Sequence, residues 1–433
     1  MEIDRISGPN VHNQMGIEEK VMDRILVISY FAPPVLSAES ILVGKLLPEL
    51  AKRYQIDLVA VGDDPDFRKD ETMGQWMDVE NLTVHRYHNP KPVNKIVRRL
   101  YQKGSSMFQD MNDRWLRQVL LHYKPQGPFQ LIYSRSMPGI SHLVAYEFKQ
   151  RLGIPWVAQF SDPWAHNPYN RYPLPVMHQV EERNEAKVIR AADRFVFPTD
   201  EIRRLVASSY PDEDVTDRSI VLPHCFDERL YGPSEGESPA AGSHDNRIVL
   251  SYIGDFYGLR SPEPILKALA LLNEQHPQTA AKIHLQIVGN VESTFVPLLS
   301  KYGDMLKTTI ERTGQVSYLE SLQKMKQSDI LLLIDAPSDE NIFLPSKLID
   351  YFGARKPILG ITAEKGTTAN LLREQSFPVI DPRDPERIAA ELLAMAERLD
   401  LFQQKAETND LRMFEVKTVA DQLSKLFEQL GQE

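Results

Sequence analysis

Short apolar runs of strand length alternate with longer amphipathic stretches along nearly the whole chain, and the alternation stops once and begins again. The first series of expected strands is Arg24–Phe31, Ile56–Val61, Leu82–Arg86, Phe129–Ser134, Pro155–Phe160, Arg194–Phe197 and Ile220–Leu222. The second is Arg247–Ile253, Ile283–Val288, Thr308–Thr313, Asp329–Ile334, Pro357–Ile361 and Phe377–Ile380. Unbroken runs such as Ile25-Leu-Val-Ile28 suit strands covered on both faces, as in a parallel sheet. Helical spacing is expected at 38–53, 139–151, 176–192, 262–275, 318–327, 346–354 and 367–374, and continuously over 385–430. Strand and helix in turn mean a doubly wound α/β sheet, and two series mean two such domains. The interruption, Pro233-Ser-Glu-Gly-Glu-Ser-Pro-Ala-Ala-Gly-Ser-His244, is turn-forming and has nothing to bury, so it reads as a linker. The expected division is a loose tail at 1–22, a first domain at 23–228, a linker at 229–246, a second domain at 247–409 and a terminal helix at 410–433.

Composition narrows the function. A formal charge of −10 argues against a general nucleic-acid binder. A single cysteine, Cys225, excludes an internal disulfide and a cysteine zinc site, which suits a reducing cytoplasm. No apolar run is long enough for a membrane helix, and the first 22 residues lack the core of a secretion signal. Lys91, Lys95, Arg98, Arg99 and Lys103 form a basic run, with Lys95, Arg98, Arg99 and Lys103 on one helical face. Such a face is either solvated or rests on an anionic membrane.

Ligands of open α/β sheets bind beyond the carboxyl ends of the strands, where helices begin. Gly254 and Arg260 follow an expected strand: the glycine lets a ligand come close, and the guanidinium offers a charged fork to a diphosphate. Pro345 opens a helix whose first turn carries Lys347, a cation set against the helix dipole and so better explained by an anion. Asp350 suits a ribose diol, or a surface pairing with Lys347. Gly366, Thr367 and Thr368 open another helix and form either a phosphate nest or an ordinary cap. In the first domain, Asp162 is fixed by Pro163 and would face an acceptor hydroxyl; an Asx turn is the other reading. Arg135 follows a strand and would bind phosphate or acceptor, or sit solvated in its loop. His224 reads as structural.

Taken together, these segments resemble glycosyltransferase family 4 of the GT-B superfamily, in its bacterial polysaccharide- and lipopolysaccharide-assembly members. The resemblance runs from about Arg24 to Ala396 and rests on Ile25-Leu-Val-Ile-Ser-Tyr-Phe-Ala-Pro-Pro34, Leu152-Gly-Ile-Pro-Trp-Val-Ala-Gln-Phe-Ser-Asp-Pro-Trp164, Leu222-Pro-His-Cys-Phe-Asp227, Tyr252-Ile-Gly254 with Arg260, and Leu344-Pro-Ser-Lys-Leu-Ile-Asp-Tyr351. It implies two Rossmann-like domains, a nucleotide-sugar donor held by the second, a glycan or lipid-linked acceptor, retention of anomeric configuration, and neither metal nor separate cofactor. It assigns diphosphate to Arg260 and Lys347 and ribose to Asp350, and it folds the last helix back onto the first domain. From composition and the basic run, a cytoplasmic protein is expected, with the Lys95, Arg98, Arg99 and Lys103 face either solvated or resting on the inner face of the plasma membrane. The family's glycine-rich loop after the first strand is replaced by Val35-Leu-Ser-Ala-Glu39, which puts Ser37 beside the sugar. Two further readings stay open, a nucleotide-sugar epimerase and a non-catalytic relative.

Overall fold

The computed structural model describes residues 22–90, 113–170, 172, 174–232 and 247–431. The basic run Lys91–Lys103, the tail at 1–21 and the linker at 233–246 lie outside them.

The first sheet contains β1 (Arg24–Ser29), β2 (Gln55–Val61), β3 (Leu82–Tyr87), β4 (Leu131–Ser136), β5 (Trp156–Phe160), β6 (Arg194–Phe197) and β7 (Ser219–Val221), all parallel, in the order β3-β2-β1-β4-β5-β6-β7. The second contains β8 (Ile248–Ile253), β9 (Ile283–Val288), β10 (Thr309–Gly314), β11 (Ile330–Ile334), β12 (Ile358–Ile361) and β13 (Val379–Ile380), in the order β10-β9-β8-β11-β12-β13. Both are doubly wound. The winding reverses between β1 and β4 in one sheet and between β8 and β11 in the other, and those reversals open crevices at the carboxyl ends. The central strands β1, β4, β5 and β11 are buried nearly throughout, as their unbroken apolar sequences require.

The helices that shape the interdomain region are α1 (Ala38–Leu50), α2 (Ile140–Leu152), α3 (Pro175–Ala191), α4 (Asp200–Ser209), α5 (Glu263–Gln275), α6 (Tyr318–Gln327), α7 (Ser346–Ala354), α8 (Thr367–Glu374), α9 (Pro385–Glu397), α10 (Leu399–Thr408) and α11 (Val416–Leu430). The region expected to be helical over 385–430 is so, in three helices: the chain breaks at Arg398 and again at 409–415, next to the expected start of the terminal helix at 410. The second break turns the chain across to the first domain. There Phe226 N–H donates to Phe414 O at 2.9 Å and Val416 N–H donates to Phe226 O at 2.8 Å. In α11, Val416, Val419, Ala420, Leu423, Phe427 and Leu430 recur at helical spacing and pack with Ile25, Val27, Leu46, Leu47 and Leu50. Phe427 is fully buried, edge-on to Tyr54 and Tyr133.

The domains also meet directly. Asp70 accepts from Tyr318 N–H at 2.6 Å, Thr199 Oγ1 donates to Ile342 O at 3.1 Å, and the buried Lys45 Nζ lies 3.0 Å from Asp350 Oδ1. No helix among the described residues is long and apolar enough to cross a membrane.

Candidate active site

The two crevices face each other across a cleft of about 1390 Å³. Its first-domain wall includes Phe31, Ser37, Glu39, Asp162, Tyr169 and His224, and its second-domain wall includes Gly254, Arg260, Asp335, Asn341, Lys347 and Asp350. Almost all of these sit just past a strand or at the start of a helix, where a doubly wound sheet leaves its ligand space.

On the second-domain wall, β8 delivers the chain into Gly254, whose φ is +145°. A side chain there would put its Cβ 2.5 Å from Lys347 Nζ, so both the conformation and the lysine require glycine. Farther along the same loop, Arg260 Nη2 lies 3.4 Å from Asp335 Oδ1, and its guanidinium stands 5.4 Å from the Tyr257 ring centre. The Asp335 contact is long, and Arg260 Nε is buried without a hydrogen-bond partner. Asp335 is itself fixed, because its Oδ2 accepts from Asn341 and Thr362. The guanidinium is therefore aimed but largely unspent.

Lys347 lies in the first turn of α7, and the residue that caps that helix is Pro345, in extended conformation. Its Nζ is 4.7 Å above the Tyr252 ring and 3.3 Å from Tyr252 Oη. Among the described residues no carboxylate lies within salt-bridge distance of it. Burial, and then the neighbouring Arg260, lower its pKa to about 7. Two cations and a helix N-terminus thus converge on one wall, with Asp335 in long contact with Arg260 and Asp255 acting on Lys347 only from beyond salt-bridge distance, the electrostatic signature of an anion site.

On the opposite wall, burial and then Glu39 push the Asp162 carboxyl up to about 7. Glu39 Oε2 accepts from Ser161 Oγ at 2.6 Å, and its Oε1 accepts from Arg135 Nε at 2.6 Å. His224 is buried, with Nδ1 unpartnered, and desolvation lowers its imidazole to about 3, so the ring is neutral at physiological pH.

Of the expected site residues, Arg260, Lys347, Gly254, Asp350, Asp162 and Ser37 line the cleft. Ser37 also caps α1, its Oγ accepting from Ser40 N–H. Asp350 Oδ1 is already engaged by Lys45 and by Tyr318 Oη at 2.8 Å, which rules out the surface pairing with Lys347. Two expectations are corrected. Arg135 is neither a ligand arm nor solvated: it is buried beneath the first-domain wall, held by Glu39 and Tyr133. Gly366, Thr367 and Thr368 do not line the cleft. Gly366 packs so closely on Asn341 that a Cβ would fall 2.1 Å from its carbonyl, Thr367 N–H donates to Asn341 O, and the threonine hydroxyls reach Ile342 O, Phe343 O and Glu201. Their polar groups hold the cleft-lining 341–343 segment rather than a phosphate.

Sequence reading missed Glu39, Lys45, Asp335 and Tyr318. Only Asp335 had a signal, as a carboxylate directly after an apolar strand.

Residues 42–217 match the model of the glycosyl transferase 4-like domain. The chain is 23% identical over 207 residues to a D-inositol 3-phosphate glycosyltransferase of Stackebrandtia nassauensis, a match spanning 40% of this chain and 45% of that relative. Among solved structures, HepE of Anabaena in complex with UDP superposes with a TM-score of 0.65 at 14% identity, covering 94% of this chain and all of that one. Sucrose-phosphate synthase of Thermosynechococcus elongatus gives 0.65 at 15% identity, covering 94% and 99%. The chain thus has the GT-B fold, and the part of it that matches the glycosyl transferase 4-like domain, residues 42–217, contributes to the first-domain wall of the cleft.

Proposed function

We propose that this protein is a retaining glycosyltransferase that moves a hexose-type sugar from a nucleoside-diphosphate donor to a glycan or lipid-linked acceptor of a surface polysaccharide. The observation that carries this reading is the pair Arg260 and Lys347, both facing the cleft, one weakly paired and the other without a carboxylate. Charge that develops on a departing diphosphate meets preorganised cations there. The complex of HepE with UDP, on the same fold, supports a nucleotide-sugar partner.

In this account Arg260 and Lys347 bind the diphosphate and stabilise it as leaving group, with Gly254 giving it room to approach. Asp350 offers the ribose its Oδ2, while Lys45 and Tyr318 hold Oδ1. Asp162 faces the acceptor and the transferred sugar, and as its pKa is near 7 it can accept or donate a proton at neutral pH. Ser37 contacts the sugar from the loop that replaces the family's glycines. The chemistry calls on no metal, and the protein works in the cytoplasm.

A calorimetric panel of nucleotide sugars is the test, followed by incubation with oligosaccharide acceptors and determination of the product's anomeric configuration by proton NMR. Donor binding that disappears in Arg260→Ala, with a product of the donor's configuration, supports the reading. An epimerised sugar formed from donor alone would replace it with the epimerase.

A further inference from the structure

Outside the cleft, three side chains converge that transfer chemistry does not use. His178 and Glu182 stand one turn apart on α3, and His166 approaches them from the segment after β5. His166 Nε2 lies 3.7 Å from Glu182 Oε1, and His178 Nδ1 lies 3.6 Å from Glu182 Oε2. One ligand atom from each of the three lies within 4.8 Å of the other two. At 3.6 and 3.7 Å neither contact is a hydrogen bond. The carboxylate therefore stands between two imidazoles and bonds to neither. The rings are perpendicular at 5.4 Å between centres, and Tyr210 and Tyr172 flank them at 5.7 and 5.1 Å.

We propose that His166, His178 and Glu182 form a three-ligand site for a divalent transition metal of zinc's class. Ligands about 2.0–2.1 Å from a tetrahedral zinc stand about 3.3 Å from one another, so the three ligand atoms, now within 4.8 Å of one another, close on an ion by side-chain rotation alone, with one imidazole already 3.6–3.7 Å from each carboxylate oxygen. Two imidazoles and one carboxylate select zinc, cobalt or nickel over magnesium and calcium, which take oxygen ligands. The fourth position is left to water.

The site is a staple for the cleft wall. His166 belongs to the segment that carries Asp162 and Tyr169. That segment is already tied to α3 by Trp164 Nε1, which donates to Glu181 at 2.6 Å, and by Ala165 N–H, which donates to Glu185 at 3.1 Å. A metal adds a third tie from the same segment to the same helix.

The test uses full-length protein without a histidine tag, stripped with a chelator and dialysed. Titration with Zn²⁺ should show one ion per chain with micromolar or tighter affinity, a rise in melting temperature, and visible absorption on Co²⁺ substitution. His178→Ala and the nearly isosteric Glu182→Gln should each weaken zinc by more than the roughly 10- to 100-fold that loss of an outer-sphere partner costs. If His178→Ala fails to fold by circular dichroism, Glu182→Gln and the Co²⁺ spectrum decide. Absence of stoichiometric zinc binding, or binding unchanged in Glu182→Gln, would overturn the proposal and leave a simple His–Glu ion cluster.

Discussion

Replacing Lys347 probes the proposed donor site in two independent ways. At pH 7 a lysine with a pKa near 7 is about half charged, and a bound diphosphate would hold it fully charged. A charge-assisted hydrogen bond contributes about 1.5–3 kcal/mol, and recharging the lysine subtracts roughly 0.4 kcal/mol, so Lys347→Met should weaken nucleoside-diphosphate binding by roughly 6- to 80-fold at pH 7. The sign of the pH dependence follows. Below pH 7 the free protein already carries the charge and affinity is full; above pH 7 each binding event must capture a proton, so affinity falls. Between pH 7 and 9 the wild type should lose about 50-fold if the bound lysine stays protonated, the limit being tenfold per unit. Isothermal titration calorimetry in buffers of differing ionisation enthalpy reads both the affinity and the proton uptake. Lys347→Met should show neither the uptake nor the slope. It should also melt no lower than the wild type, because the folded state no longer desolvates an ammonium. Wild-type affinity that is flat from pH 7 to 9, together with full binding by Lys347→Met, would refute the reasoning.

With donor saturating, so that Lys347 is held charged, kcat/KM for the acceptor should change through an inflection near pH 7 that Asp162→Asn abolishes. Burial raises this carboxyl above its unfolded value, so it costs stability as pH climbs from about 4 to 7, and Asp162→Asn should melt higher than the wild type at pH 8. Arg135→Met leaves the buried Glu39 without its counter-charge, with only Ser161 still donating to it, and should lower unfolding free energy by about 3–5 kcal/mol in urea titrations. A surviving folded fraction that binds donor normally would confirm Arg135 as structural. Phe427→Ala removes the centre of the α11 seam and should cost about 3–5 kcal/mol, read the same way.

The fold was legible because parallel strands buried on both faces are written as unbroken apolar runs, and the second sheet follows the same rule as the first. The placement of Gly254, Arg260 and Lys347 on one cleft wall was legible for a related reason: they lie where a strand ends or a helix begins. Such local signals fail where long-range partners decide. Arg135 also follows a strand, but Glu39, ninety-six positions away, draws it into the core. Gly366–Thr368 does open a helix, yet the 341–343 segment claims its polar groups. Asp350 reads as a free helix-face carboxylate until α1 presents Lys45 to it from the other domain. The α9–α10–α11 region is helical by pattern, and it was the family resemblance, not the local pattern, that led to the expectation of the terminal helix crossing back to the first domain. The His166, His178 and Glu182 cluster shows only half of itself in the sequence, as the i, i+4 pair on α3.

A crystal structure of the protein with a nucleoside diphosphate tests the account most directly. The account predicts diphosphate oxygens within hydrogen-bonding distance of the Arg260 guanidinium and Lys347 Nζ, at the opening of α7. A nucleotide seated elsewhere, with both cations still facing open cleft, would contradict it.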